Sequence, residues 1–169
     1  MFRLLISAAA LFVASPAAAG DWQHQAIHDH LKGKIGIGAM VGGMLEGAER
    51  GRHLGFLRVY CADNSTIVNV ESDKFFFGSS PVSVRYSIDG GSVQSAQWNN
   101  CQDSRCVGLW GGQGIPFVKS LFGKRELKMV IELRFTAPIN ATFHIDGAEA
   151  ALSEVGETCG WMPKKPAGK

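Results

Sequence analysis

From Phe56 onward the chain alternates apolar and polar residues with a period of two, and this pattern constrains the fold more than any other feature. In LKMVIELRF (127–135), Leu127, Met129, Ile131, Leu133 and Phe135 fall on one side, and Lys128, Glu132 and Arg134 on the other. Such alternation belongs to a strand with one buried face. The same reading gives strands over LRVYC (57–61), TIVNV (66–70), VSVRYSI (82–88), SVQSAQW (92–98), VGLW (107–110) and ATFHI (141–145). Asp89-Gly90-Gly91 between two of these runs is a hairpin signal. Many short strands separated by turns predict a mainly β domain over 56–161, an antiparallel β-sandwich or partly closed barrel. Two helices are expected to interrupt it. A short one near 116–122 has Pro116 in its first turn and Gly123 as its stop. A C-terminal one near 147–158 would be capped by Asp146 with Glu149 reaching back, its stripe of Ala148, Ala151, Leu152 and Val155 pointing Cys159 inward.

The first 55 residues read differently. MFRLLISAAALFVASPAAAG has an early Arg, an apolar run and an Ala-x-Ala site, so residues 1–19 are expected to be a secretory signal peptide. The apolar run is short of the ~20 residues a bilayer span requires, so no transmembrane span is expected after cleavage. Residues 20–55 are rich in glycine, with Gly43, Gly47, Gly51 and Gly55 spaced four apart. Trp22, Ala26, Ile27, His30, Leu31 and Ile35 fall near helical spacing behind Asp21 as N-cap. This segment is expected to be a flexible or partly helical leader, with weak membrane or partner contact through 35–55. Residues 162–169, ending PKKPAGK, are expected to be a disordered basic tail.

Export accounts for the four cysteines, an even number that reads as two disulfides in an oxidising compartment. Cys101 and Cys106 could close a local loop, leaving Cys61 to pair with Cys159. On the chain-entropy view, closing ~98 residues stabilises the fold by roughly 4–5 kcal/mol. The protein is therefore expected in the periplasm or secreted. Lys and Arg total 17 against 15 Asp and Glu, and the chain carries no basic stripe of the kind nucleic acid requires.

Candidate chemistry is sparse. GLWGGQGIPFVKS (108–120) has the glycines of a phosphate loop, but Val118 rather than Gly precedes Lys119 and Pro116 removes a donor N–H. It reads as a structural crossover. No G-x-S-x-G elbow or paired carboxylates occur, so no catalytic residue and no cofactor is nominated. His24 and His28, at i and i+4, form a weak metal alternative if that segment is helical. Arg85 lies opposite the apolar set of its strand, and a groove formed by Arg85, Trp98 and Trp110 is the candidate binding site.

The order of these pieces resembles the VasI-like (TagO-like) family of exported proteins associated with bacterial type VI secretion. The resemblance runs through LRVYC (57–61), VSVRYSIDGG (82–91), Trp98, GLWGGQGIPFVKSL (108–121), LRFTAP (133–138), ATFHIDGAEAAL (141–152) and CGW (159–161). It implies a non-enzymatic accessory protein that acts on an envelope or secretion-system protein. Cys101 and Cys106 depart from the family pattern, as does Ala148. The alternative function is a periplasmic binding module for a small ligand or cell-wall glycan.

Overall fold

The computed structural model describes residues 20–29, 33–78 and 81–164. The signal-peptide reading, His30 and the last five residues of the tail lie outside them. Among the described residues nine strands run antiparallel: β1 (Gln23–Asp29), β2 (Gly33–Gly47), β3 (Gly51–Ala62), β4 (Ser65–Glu71), β5 (Val82–Ile88), β6 (Gln94–Asn100), β7 (Cys106–Leu109), β8 (Glu126–Glu132) and β9 (Ile139–His144). Their spatial order is β1-β2-β3-β4-β7-β6-β5-β8-β9, and β9 pairs back onto β2. The expected mainly β fold is therefore a closed barrel of eight strands, with β1 added outside the ring.

The first correction concerns residues 20–29 and 33–55, which are not a partly helical leader. They form β1, β2 and the start of β3, and β2 is the strand that closes the ring. The four-residue glycine spacing belongs to a hairpin: Gly43 lies opposite Gly55, and Gly47 opposite Gly51. Gly51 has φ +70°, which an L residue rarely adopts. At Gly43 the reason is close approach, since a Cβ there would stand 2.5 Å from the Thr142 carbonyl oxygen of β9 and against the Phe143 ring. A helix template misreads this segment because small residues at i and i+4 also arise from symmetry about a turn.

Eight strands leave an interior just wide enough for side chains to fill. Here Val41, Leu45, Leu57, Val59, Val68, Val70, Val84, Trp98, Leu127, Met129, Ile131 and Phe143 fill it, all fully buried or nearly so. Outward positions carry Arg58, Glu71, Arg85, Lys128 and Glu132, the reverse of the apolar-out, polar-in pattern of transmembrane barrels. No helix among the described residues is long and apolar enough to cross a membrane.

Both ends are plugged. At the β3–β4 turn end, α1 (Gly114–Ser120) inserts Phe117 and Val118, and Leu121 follows them. The C-terminal helix is broken into α2 (Ala148–Ala151) and α3 (Ser153–Thr158), which bury Ala148, Leu152 and Val155. The Asp146 capping box is not formed; Gly147, at φ 76°, is the N-cap and no side chain caps the helix. Cys159, just past α3, is joined to Cys61 of β3, their Cα atoms 5.6 Å apart. Trp161 Nε1 then donates to Thr66 Oγ1 at 2.9 Å, and its ring stacks on Phe122. Met162 packs on Gly156, so the folded part extends into the expected tail. At the other end Phe75 and Phe77, 2% and 0% exposed, turn inward from the segment after β4.

The strand expected over 127–135 stops at Glu132, where its pairing ends: the last pair with β9 is Ile131 opposite Ile139 and the last with β5 is Glu132 opposite Ser83. Asp89, at φ +50°, turns β5 toward β6 and accepts from the backbone N–H groups of Glu126 and Arg125, each at 2.9 Å.

Two outcomes follow from this packing. Gly43→Ala should destabilise the fold by about 1–3 kcal/mol through overpacking against β9. Gly42→Ala, whose Cβ meets nothing closer than 3.5 Å, should be neutral or slightly stabilising. A helical leader would gain stability from both, so urea unfolding of the pair separates the two conformations. Second, the N–H groups of Glu126 and Arg125 hold the Asp89 carboxyl below its ordinary range. Its contribution is therefore present above the unfolded value near pH 4 and fades as pH falls through the folded value. Asp89→Asn keeps an acceptor oxygen but removes that dependence. Unfolding midpoints taken from about pH 6 to about pH 2 should show the wild type's advantage over the variant shrinking toward the acid end.

Candidate functional site

The three residues expected to share a binding groove are dispersed. Trp98 is fully buried inside the barrel, its ring edge-to-face with Phe117 at 5.3 Å. Arg85 is on the outer wall, where its Nε and Nη2 donate to Glu132 Oε1 at 3.0 and 2.6 Å. The two strands do pair, but with Arg85 opposite Ser95 and Trp98 opposite Val82, so strand alternation puts the side chains on opposite faces. Trp110 is half-buried and lies on the outside of β7, its Cη2 2.9 Å from where a Gly108 Cβ would stand. His24 and His28 are in a strand, where four residues cover about 13 Å, too far for one ion. Among the described residues no group of three His, Cys, Asp or Glu side chains could hold a metal. Lys119 of the glycine-rich crossover sits 5.9 Å over the Trp161 ring.

The structure instead assembles a groove of about 680 Å³ on the outer wall of β3 and β4. Phe56, Arg58 and Tyr60 are the outward residues of β3, alternating with buried Leu57, Val59 and Cys61. Asn69 and Glu71 face the same way from β4, since Asn69 lies opposite Arg58 and Glu71 opposite Phe56. The hairpin between β6 and β7 leans over them. Cys101 and Cys106 are joined across its mouth, their Cα atoms 5.2 Å apart. The Cys101 N–H also donates to the Cys106 carbonyl at 3.0 Å. This overhang leaves Asn69, an outward residue, only 3% exposed. Its Nδ2 reaches Cys106 Sγ at 3.5 Å, while its Oδ1 is buried with no hydrogen-bond partner among the described residues.

Enclosure sets the electrostatics. Arg58 Nη1 donates to Glu71 Oε2 at 2.6 Å, with side-chain exposures of 25% and 29%. With the Gln25 amide oxygen turned toward it, the Arg58 fork also donates to Gln25 from Nη2 and Nε, each at 3.0 Å. The guanidinium carbon lies 5.8 Å from the Tyr60 ring centroid. Burial pushes the Tyr60 phenol above its ordinary range; Arg58 pulls it back in part and Glu71 adds to the rise. The hydroxyl is therefore a neutral donor and acceptor at physiological pH. At the rim Arg105 Nη1 donates to the Asp73 carbonyl at 2.9 Å and its N–H to Asp103 Oδ1 at 3.0 Å. The result is a fixed ion pair between two aromatic rings, with an unpaired amide oxygen beneath the disulfide hairpin.

Sequence reasoning singled out Arg85 as the odd charged strand residue and passed over Arg58, which stands in the same position in LRVYC. The available signal was the alternation itself, which faces Phe56, Arg58 and Tyr60 outward together. What it could not give was the hairpin that covers them.

The opposing effects of Arg58 and Glu71 on Tyr60 give a direct check. In a Tyr86→Phe background, which leaves Tyr60 as the remaining tyrosine of the two, absorbance titration should place its ionisation above that of free tyrosine. Arg58→Met should raise it further and Glu71→Gln should lower it. Comparison with protein-family models, curated proteins and solved structures finds no match to this chain.

Proposed function

We propose that the protein is an exported, non-enzymatic recognition module that binds a partner through the groove over β3 and β4. The observation that carries this reading is that the barrel is filled and plugged at both ends, so recognition falls to the outer wall. There, the groove holds its polar groups ready: Arg58 is fixed by Glu71 and Gln25 before any partner arrives. Preorganised charge of this kind lowers the ordering cost of binding. The resemblance to VasI-like proteins makes an envelope or secretion-system protein the partner of choice. The two disulfides fit a non-reducing compartment, and the signal-peptide reading places the protein in the periplasm or outside the cell.

A second reading has its own support. Phe56 and Tyr60 flank Arg58 and Glu71 on one strand face, an arrangement of rings and hydrogen-bonding groups that would also suit a cell-wall glycan.

Site-specific photocrosslinking from position 56, carried out in envelopes containing the protein at native abundance, tests the main reading. A discrete crosslinked protein is expected, falling at least tenfold with Arg58→Ala, a size of effect usual for an interfacial Arg anchor. The variant's unfolding midpoint should move by no more than a few degrees, since a partly exposed ion pair contributes about 1 kcal/mol. Absence of any protein adduct, with retention on peptidoglycan that depends on Tyr60 and Phe56, would move the groove to the glycan reading.

A further inference from the structure

The barrel end away from the β3–β4 turn carries two prominent exposed rings. Phe135 is 84% exposed and Phe76 is 55% exposed. Phe76 is thrown outward between Phe75 and Phe77, which point into the core, while Phe135 sits in the loop joining β8 to β9. Phe76 and that loop, at Leu133 and Thr136, border one hollow of about 120 Å³ with the Ala48–Arg50 turn, so the two rings belong to one end face. Each ring has its own guanidinium: Arg105 lies 5.6 Å from the Phe76 centroid and Arg134 5.1 Å from that of Phe135. Arg50, whose Nη1 donates to the Lys74 carbonyl, and Lys74 itself add positive charge. Glu49, Asp103 and Asp73 oppose them, Asp73 being 3.2 Å from Lys74 Nζ, and the face remains positive.

A single exposed phenylalanine needs no explanation. Two on adjoining loops, each backed by a cation, make a layered face with the apolar groups outermost and positive charge behind. That is the order a bilayer surface presents to a docking protein: acyl chains and glycerol inside, anionic phosphates outside. A second copy of the chain is a poorer occupant, because a twofold contact would set the same guanidinium groups against each other.

We infer that this end of the barrel seats the protein on an anionic membrane surface. Phe76 and Phe135 enter the headgroup layer, and Arg105 and Arg134 stay at the phosphates. The attachment is peripheral; Arg105 is shared with the groove rim, whereas Phe76, Phe135 and Arg134 lie outside the groove, so variants at those three test it independently of partner binding.

Co-sedimentation of the purified, oxidised protein with vesicles of equal parts phosphatidylglycerol and phosphatidylcholine tests it. Partition onto these vesicles is expected, with much weaker partition onto pure phosphatidylcholine. Phe135→Ser should weaken binding about tenfold, and Phe76→Ser with Phe135→Ser about a hundredfold, from the apolar area each ring withdraws from water. Arg134→Gln should cost about fivefold on anionic vesicles and leave binding to phosphatidylcholine unchanged. Near-ultraviolet circular dichroism should show all variants folded, since both rings lie outside the core. The inference is overturned if the wild type stays in the supernatant at millimolar anionic lipid, or if the folded double variant sediments as the wild type does. A wild-type dimer in solution that Phe135→Ser converts to monomer would overturn it equally, assigning the face to a second copy.

Discussion

The barrel depends on one strand serving two neighbours along a single edge. β2 is bonded to β3 from Gly36 to Gly47, while its other edge takes β1 up to Met40 and β9 from Gly43 onward. A strand edge offers one row of N–H and C=O groups, so the handover between β1 and β9 has to occur at a point where the incoming strand can approach closely. Gly43 supplies that point. The Phe143 ring and the Thr142 carbonyl occupy the space a side chain at 43 would need. Without the handover, β9 and β2 would be open edges of a sheet, a liability that full closure removes.

Closure settles where the other elements go. A ring of eight strands has two ends, and the apolar contents of each must be shielded from water. The segment after β4 supplies Phe75 and Phe77 at one end, and α1 with α3 closes the other. The Cys61–Cys159 bridge binds the last plug to the wall it covers, joining residues 98 apart in sequence. Trp161 adds a second fastening at Thr66, on the strand next to Cys61's. Helices this short hold little stability of their own; they persist because they are lids.

Legibility in the sequence followed the physics of each element. β5, β8, β9 and most of β4 could be read from alternation because each has one face in the core and a more exposed face opposite, whereas β7, buried at all four positions, was legible only as a short apolar run. The start of β3 and all of β2 could not, because glycine contributes no alternation and its spacing imitates a helix face. The Asp146 cap failed for a related reason: the turn into α2 uses Gly147 at positive φ, which places the chain without help from a side chain. Cys61 and Cys159 were readable as a pair because the closer cysteines had a local partner. The groove was only half readable. Alternation assigns Arg58 and Arg85 alike to the outside, and nothing local distinguishes them.

What does distinguish them is enclosure. Both arginines donate to a glutamate on a neighbouring strand at 2.6 Å. The Arg85–Glu132 side chains are 50% and 38% exposed, and a pair so hydrated holds its geometry weakly and contributes at most about 1 kcal/mol. Arg58 and Glu71, at 25% and 29%, are more enclosed, with a third partner in Gln25 and a disulfide hairpin overhead. Lower local dielectric strengthens the same contact and makes its geometry definite. The same burial that raises Tyr60 leaves Asn69 Oδ1 without a partner, an arrangement that costs stability where it stands. A wall built for stability alone would have covered these strands with apolar side chains or left them open to water. Covering charged and polar groups with a crosslinked loop keeps them fixed and partly dry, the state in which polar groups discriminate most strongly between one partner and another.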